Sequence, residues 1–244
     1  MTSRFVALFA ACVCALVLQT PVSAQGDLPH PRQENLSPSD RLEALIERVR
    51  LAQKGVETLE SEFVQRKESA MLVEPVETRG VFFFSAPDRV RWEYETPNPI
   101  SILIDHDEMT TWYRDIQQAE HVSVGRQSHR VLEFLGAGSS MDELLEYFNL
   151  TLTLPLDTSE PYMLELKPRF EKVAKRIRGM TVWVDPENFL PARIRYLEAD
   201  GDITDFSFHR LRINAGVPEE RFRLEMPKSV EVRHLELDRP AGLY

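Results

Sequence analysis

The stretch that decides the fold is Arg79-Gly-Val-Phe-Phe-Phe-Ser-Ala-Pro-Asp-Arg-Val-Arg-Trp-Glu-Tyr-Glu95. In its second half apolar and charged residues alternate, which is typical of a half-buried antiparallel strand. The apolar positions on one face of that strand are Val90, Trp92 and Tyr94. In its first half Phe82 and Phe84 share one face of a second strand, and Pro87 and Asp88 suit the tight turn between the two. The stretch therefore predicts a β-hairpin that lays large apolar side chains on one surface.

The rest of the chain predicts a mainly β, α+β fold built around this hairpin. Short strands separated by closely spaced turns are expected at 59–66, 100–104, 109–114, 119–124, 150–154, 163–168, 177–185, 192–196, 203–213, 221–224 and 230–237. Such spacing is typical of an antiparallel meander. A capping Ser37, a following proline and an apolar stripe predict one amphipathic helix that ends at Gly55 and docks on the protein. A sheet with so apolar a face must close, meet a second sheet or be covered by helices.

The N-terminal residues predict export. Phe5 to Leu18 form an apolar run of signal-peptide length, and small residues up to Ala24 predict cleavage after that residue. Residues 25–38 are then a flexible lead-in, 39–237 a single domain and 238–244 a tail. Both cysteines, Cys12 and Cys14, lie in the signal segment, so the mature chain has no thiol to oxidise. A lipoprotein signal with Cys12 lipidated is disfavoured, because the apolar run before it is too short.

The charge balance argues against nucleic acid as a partner. The chain carries 29 basic and 39 acidic residues, a net charge of −10. Binding to phosphates needs a basic stripe, and the sequence shows none of adequate length. The short basic run from Lys172 to Arg178 is interpreted as a solvated face.

Motifs for catalysis are missing from the sequence. It has no Gly-x-Ser-x-Gly elbow, no phosphate-binding glycine loop and no His-Glu-x-x-His helix. The cluster Asp105-His106-Asp107 could suggest a metal, but a solvated turn between two strands is the favoured interpretation. Neither an enzyme nor a metal or cofactor is predicted.

A set of short motifs, taken in order, resembles a known family. The motifs are Leu59-x3-Phe63-x-Gln65, Gly80-x-Phe-x-Phe, Pro87-Asp-Arg-x-Arg-Trp92, Ser101-Ile-Leu, Trp112-Tyr113, Val217-Pro-Glu-Glu-Arg-Phe222 and Pro227-x-x-Val230-x-Val232. In this order, behind a signal segment and a docking helix, they resemble the LolA family of periplasmic lipoprotein carriers. The resemblance is strongest over residues 40–125 and weakest over 126–175.

The resemblance implies an incomplete antiparallel β-barrel covered by helices, with an apolar inner cavity that holds acyl chains. The cargo would be lipoproteins or another lipid, received from an inner-membrane exporter and passed to an outer-membrane receptor. The residues expected to line the cavity are Phe63, Phe82, Phe84, Val90, Trp92, Tyr94, Ile102 and Trp112. The helical segment after the glycine-rich residues 136–140 is a candidate lid, although a packed connector fits equally well. The apolar residues of this segment are Leu144, Leu145 and Phe148. A monomer would suit a shuttle.

One departure from the family bears on closure of the barrel. The family has an arginine just before the hairpin proline, which ties the barrel to its helical lid, and this chain has Ala86 there. Arg89 and Arg91 are nearby, but strand alternation predicts that both face away from the cavity. A second hypothesis therefore stays open, in which the protein is a lipid-sensing or regulatory scaffold that acts through protein contacts.

Overall fold

The computed structural model describes residues 28–123 and 141–235. Its helices are α1 (Pro38–Lys54), α2 (Met141–Tyr147) and α3 (Glu171–Ala174), with a 3-10 turn at Glu219–Phe222. Its strands are β1 (Thr58–Glu68), β2 (Val76–Ser85), β3 (Arg89–Thr96), β4 (Ile100–Asp105), β5 (Glu108–Tyr113), β6 (Gln118–Ser123), β7 (Phe148–Thr153), β8 (Tyr162–Pro168), β9 (Ile177–Val184), β10 (Pro191–Glu198), β11 (Ile203–Ile213) and β12 (Glu231–Leu235). The signal segment, residues 136–140 and the tail lie outside the described residues, so the predicted domain boundaries stay predictions.

The strands form one 12-stranded sheet in the order β12-β6-β5-β4-β3-β2-β1-β11-β10-β9-β8-β7. Neighbours are antiparallel except β12, which pairs with β6 in parallel. The pair β1–β11 joins two meanders, and the sheet stays unclosed between β12 and β7. The predicted incomplete antiparallel barrel is therefore confirmed.

The sheet is strongly curled. Strands β3 and β11 are three positions apart in the order, which in a flat sheet would separate them by about 14 Å. Yet the ring of Trp92 on β3 lies 5.6 Å from the ring of Phe206 on β11, centroid to centroid. The curl therefore brings distant strands to face each other across one interior.

Helix α1 begins and ends where the sequence predicts. The Ser37 hydroxyl accepts a hydrogen bond from the Asp40 backbone N–H at 3.2 Å, and the Asp40 carboxylate accepts one from the Ser37 N–H. This reciprocal capping box satisfies two N–H groups that the first helical turn leaves unpaired. Gly55 ends the helix. The apolar stripe of α1 lies against the inner face of the sheet, with Leu45 and Val49 buried.

Residues 28–36, expected to belong to a flexible lead-in, are instead fastened to the domain; we call them the N-terminal strap. Arg41 donates to the carbonyls of residues 31, 34 and 36, and Arg48 donates to those of residues 28 and 29. Arg32 donates to three carbonyls of the β7–β8 loop. The expectation was wrong here, because a polar, proline-containing sequence does not reveal arginines that bind its carbonyls from elsewhere.

The chain between β11 and β12 crosses the outer face of the sheet. Phe222 is buried there against Phe83 and Leu103 in a small second core. Arg91 donates to the carbonyls of residues 221 and 223, and Arg89 forms a salt bridge with Glu219 at 2.6 Å. The crossover thus fastens β12 to the far edge of the sheet.

Candidate functional site

The inner face of the sheet is the candidate site, and strand register assembles it. Phe63 on β1 lies opposite Gly80, Phe82 lies opposite Trp92, and Trp92 lies opposite Ile102. Directly opposite residues of an antiparallel pair project from the same face, so these side chains meet. The face continues through β11 and β10 to β7 with residues that pack into the same core: Phe206, Phe208, Ile194, Val182, Leu164, Leu166, Leu150 and Leu152.

Trp92 is the centre of an aromatic cluster on this face. Its ring lies 4.8 Å from that of Phe63 and 4.7 Å from that of Phe82, in edge-on and tilted arrangements. Phe63 in turn lies 5.1 Å from Tyr94. Such offset pairs stabilise a core by about 0.5–1.5 kcal/mol each beyond the area they bury. Trp92 is fully buried.

Seven of the eight residues expected to line a cavity lie on this face. Four of them are buried: Phe63, Phe82, Val90 and Trp92. Three are partly exposed at its border: Phe84, Tyr94 and Ile102. Phe206 and Phe208, on a strand that the sequence also predicted, belong to the face but were not assigned to the site. Their alternation with polar neighbours was the signal that could have placed them there.

Trp112 lies on the opposite face of the sheet. It pairs with Ser101 and Ala119, and Ser101 pairs with Glu93, so all four project outward. The guanidinium of Arg114 stacks over the Trp112 ring at 5.0 Å. Its assignment to the cavity was wrong, because adjacent aromatics in a strand point to opposite faces and the sequence did not fix the phase.

The candidate lid is split between two elements. Leu144 and Leu145 lie in α2 and pack against the inner core, as a covering helix requires. Phe148 follows the last residue of α2 and begins β7, where it pairs with Pro168. Phe148 is therefore a buried sheet residue and not part of a helical lid. The helical prediction ran one residue too far because Phe148 continues the apolar pattern of α2.

Side chains fill the centre of the interior in this conformation. Phe63, Val90 and Trp92 are at most 1% exposed, so no water-sized space borders them. A groove of about 430 Å³ lies elsewhere, between the end of α1 and the β9–β10 turn. It is lined by Arg48, Leu51, Ala52, Gly55, Val56, Glu187, Asn188, Phe189, Leu190 and Ile213. An acyl chain could therefore reach the centre of the inner face only if these packed side chains move apart.

The inner face is electrically neutral at ordinary pH. The core cluster consists of hydrophobic residues, and burial raises the pKa of the Tyr94 hydroxyl to about 12. Burial also raises the pKa of Tyr196. The indole N–H of Trp92 and the hydroxyl of Tyr162 are buried without a hydrogen-bond partner among the described residues. Such a surface can hold an apolar ligand with a few carbonyl acceptors.

The turn at Asp105-His106-Asp107 has the geometry of a solvated turn. His106 is exposed, adopts a positive φ of 55°, and its Nδ1 lies 2.8 Å from an Asp105 carboxylate oxygen. Within residues 28–123 and 141–235, no three histidines, cysteines or carboxylates are arranged to hold a metal ion. None of the helices in these residues is long and apolar enough to cross a bilayer.

Together these features define a class of protein: an open, curled antiparallel sheet whose apolar inner face is covered by helices. The family described as "Outer membrane lipoprotein carrier protein LolA" matches residues 54–225, and the chain belongs to that family. Proteins of the LolA family are carriers and not enzymes, and they work in the periplasm.

Two carrier proteins and one solved structure show the extent of the similarity. The outer-membrane lipoprotein carrier protein of Halorhodospira halophila is 29% identical over 210 residues, covering 84% of this chain and 90% of the relative. That of Alkalilimnicola ehrlichii is 27% identical over 184 residues, covering 72% and 78%. The crystal structure of an uncharacterized conserved protein from Thermus thermophilus covers 80% of this chain and 99% of its own, with a TM-score of 0.52 at 12% identity. That last match shows a shared fold.

Proposed function

We propose that this protein is a periplasmic carrier that binds the acyl chains of lipoproteins, or of another lipid, against the inner face of its sheet. It carries them between the inner and outer membranes. The observation that supports this most directly is the continuous apolar inner face, which runs from β4 through β11 to β7 and is covered by helices. A sheet closed by a second sheet would have no comparable cover that could be displaced.

The way α1 is fastened favours such displacement. Its arginines bind other peripheral elements: Arg41 and Arg48 bind the strap, and Arg50 forms a salt bridge with Asp142 of α2. Towards the sheet α1 presents Leu45, Ile46 and Val49. Apolar contacts have no fixed direction, so the helix can shift and leave an apolar surface for a lipid.

The magnitudes are compatible with exchange. Burying a Val, Leu or Ile side chain is worth about 1.5–3 kcal/mol, so the three apolar contacts of α1 contribute roughly 5–9 kcal/mol. Burying an acyl chain of about fifteen methylenes contributes roughly 12 kcal/mol. A lipid can therefore replace α1 on the inner face with a modest net gain. A modest gain also allows the cargo to be released.

Trp92 gives the site a polar contact for its cargo. Its indole N–H is buried and has no acceptor among the described residues. The carbonyl of an ester-linked or amide-linked acyl chain would supply that acceptor. Leaving a buried donor unpaired costs about 1–3 kcal/mol, so pairing it favours the loaded state.

Closure of the barrel works differently here from the arginine latch that the family resemblance implies. Ala86 occupies the latch position, and Arg89 and Arg91 bind the crossover on the outer face. Arg32 of the strap and Arg48 of α1 are instead placed to hold the helical cover, since they connect α1 and the β7–β8 loop through residues 28–32. We assign the latch function to this strap.

The cellular route completes the proposal. Cleavage after Ala24 would release the mature chain into the periplasm, where an inner-membrane exporter supplies cargo and an outer-membrane receptor accepts it. The carrier would act as a monomer. The strongly acidic chain and its neutral inner face argue against nucleic acid as cargo.

Native mass spectrometry of the protein, purified without detergent from the periplasm, tests the proposal. We expect a stoichiometric adduct of lipid mass, whose extraction names the cargo class. Uptake of a fluorescent fatty acid is then compared between Ile102→Thr on the inner face and the matched Val81→Thr on the outer face. Only the first should reduce uptake. A bare polypeptide that takes up no added lipid would contradict the carrier function and favour the regulatory scaffold.

A further inference from the structure

The β8–β9 connection is strongly basic in an otherwise acidic protein. Residues 167–178, which we call the basic segment, contain six exposed basic side chains and one acid, Glu171. The basic residues are Lys167, Arg169, Lys172, Lys175, Arg176 and Arg178. Of these six residues only Lys175 forms a salt bridge within the part of the chain that the structure describes, with Glu171 at 3.3 Å between exposed groups. The segment is therefore an almost unneutralised positive patch on a chain of net charge −10.

Exposed apolar side chains lie at the same end of the sheet. Phe170, inside the basic segment, is 53% exposed. Met71 and Val73, at the tip of the β1–β2 hairpin, are 93% and 101% exposed. The antiparallel register places the β1–β2, β8–β9 and β10–β11 connections at the same end of the strands. We call this end of the sheet the rim.

Contacts between these connections make the rim continuous. Lys67 on the β1–β2 hairpin lies 3.6 Å from Asp202 in the β10–β11 turn. That turn contacts the basic segment, because the Ala199 N–H donates to the Arg176 carbonyl at 2.9 Å. Measured along the curled sheet, four strand spacings, roughly 19 Å, separate β1 from β8. The hairpin tip and the basic segment are thus two parts of one surface.

We propose that the rim docks on the surface of an anionic lipid bilayer. The basic side chains are spread along an exposed segment and do not converge on a pocket, which suits the distributed charge of lipid headgroups better than a single phosphate. Exposed Phe, Met and Val side chains can enter the headgroup region, and clustered Lys and Arg residues attract anionic lipids. An acidic protein partner would explain the charge but not the apolar tips that accompany it.

The combination predicts reversible binding. One weak apolar anchor holds a protein at a membrane only marginally, and a polybasic patch supplies the second attraction. The acidic residues Glu198, Asp200 and Asp202, between the two parts of the rim, weaken the attraction further. Weak docking suits a protein that must leave one membrane and reach another. The inference concerns the outer rim and does not depend on cargo binding at the inner face.

Vesicle flotation of the purified protein tests this inference. Vesicles of phosphatidylcholine alone are compared with vesicles that also contain phosphatidylglycerol. The rim variant is the triple change Lys172→Gln, Lys175→Gln and Arg176→Gln. Its control has the same net charge and is the triple change Lys54→Gln, Arg210→Gln and Arg212→Gln, at exposed positions outside the rim.

The wild type and the control should float with the anionic vesicles and not with the neutral ones. Each basic residue near an anionic surface strengthens binding about fivefold, so the rim variant should bind roughly 100-fold more weakly. Raising the salt concentration should release the wild type. A double change, Met71→Ser with Val73→Ser, should weaken binding further without altering the salt dependence.

Equal binding to neutral and anionic vesicles, or an equal loss in the rim variant and the control, would overturn the inference. No flotation of the wild type would overturn it as well and would direct attention to an acidic protein partner. Fatty-acid uptake by the rim variant separates this result from the carrier proposal, because its inner face is unchanged. Uptake should equal that of the wild type.

Discussion

The ring of Phe63 lies across Gly80, its antiparallel neighbour on β2, and leaves no room for a side chain there. A Cβ added at Gly80 would lie 2.7 Å from Cζ of Phe63 and would overlap the carbonyl oxygen of Glu93. The glycine therefore permits the close approach of Phe63 to the sheet backbone. That approach sets the position of Phe63 between Trp92 and Tyr94.

Replacing Gly80 with alanine should destabilise the protein strongly. The new methyl group must displace both the Phe63 ring and the backbone of β3, so we expect a loss of about 3 kcal/mol or more in the free energy of unfolding. Urea denaturation followed by tryptophan fluorescence measures it. Gly179→Ala is the matched control, because its added Cβ would lie 3.5 Å from the Leu166 carbonyl oxygen, an ordinary contact. Equal stabilities of the two variants would contradict the close packing.

The buried hydroxyl of Tyr94 should make the free energy of unfolding depend on pH in the alkaline range. Burial raises its pKa from 10.0 to about 12, so the folded state holds this proton more tightly than the unfolded chain. The free energy of unfolding should therefore fall as the pH rises from about 10 to about 12. The loss from this group is roughly 1.4 kcal/mol at about pH 11.

Tyr94→Phe should remove that part of the alkaline loss. Other groups titrate alike in both proteins, so the difference between their urea midpoints at about pH 8 and about pH 11 isolates Tyr94. The variant should lose less stability than the wild type over this interval. Parallel losses would mean that Tyr94 is solvated and that the inner face is open at this point.

Arg91 should hold the chain between β11 and β12 on the outer face of the sheet. Its guanidinium donates to the carbonyls of residues 221 and 223 at 2.9 and 3.1 Å and is shielded from solvent. Arg91→Met should cost about 2–3 kcal/mol, since hydrogen bonds to a charged group are lost. Hydrogen exchange over residues 217–235 should speed up. Arg233→Met, which breaks an exposed pair with Glu231, should change little, and equal effects of both would contradict the assigned role.

Arg32 should determine how firmly the N-terminal strap, residues 28–36, is attached to the domain. It donates to carbonyls of residues 155, 157 and 160 and lies over the Tyr162 ring at 5.0 Å. Arg32→Gln should lower the melting temperature by about 5 °C. It should also speed hydrogen exchange in residues 28–36, and under the carrier proposal it should speed lipid uptake. Arg79→Gln breaks an exposed pair with Glu77 and serves as the control. Unchanged exchange in the strap would rule out the latch.

The local elements were predictable from particular residues. The alternation of Val90, Trp92 and Tyr94 placed three side chains on one face, and the capping box at Ser37 and Asp40 located the start of α1. These signals depend on interactions between residues at most four positions apart, so they can be recognised from the sequence alone. The apolar inner face followed from them, and so did the outward direction of Arg89 and Arg91.

The tertiary structure decided what depends on distant contacts. It put Trp112 on the outer face, because a shift of one residue in strand phase reverses every side chain and the sequence leaves that phase open. The pairing of β1 with β11 and the position of β12 at the far edge of the sheet also appear only in the tertiary structure. The same holds for the contacts of Arg32, Arg41 and Arg48 that fasten the strap, and for the position of the basic segment and the hairpin tip on one rim. The sequence by itself determined which faces are apolar. The curl and register of the sheet decided which of those faces meet, because they arise from pairings between residues more than a hundred positions apart.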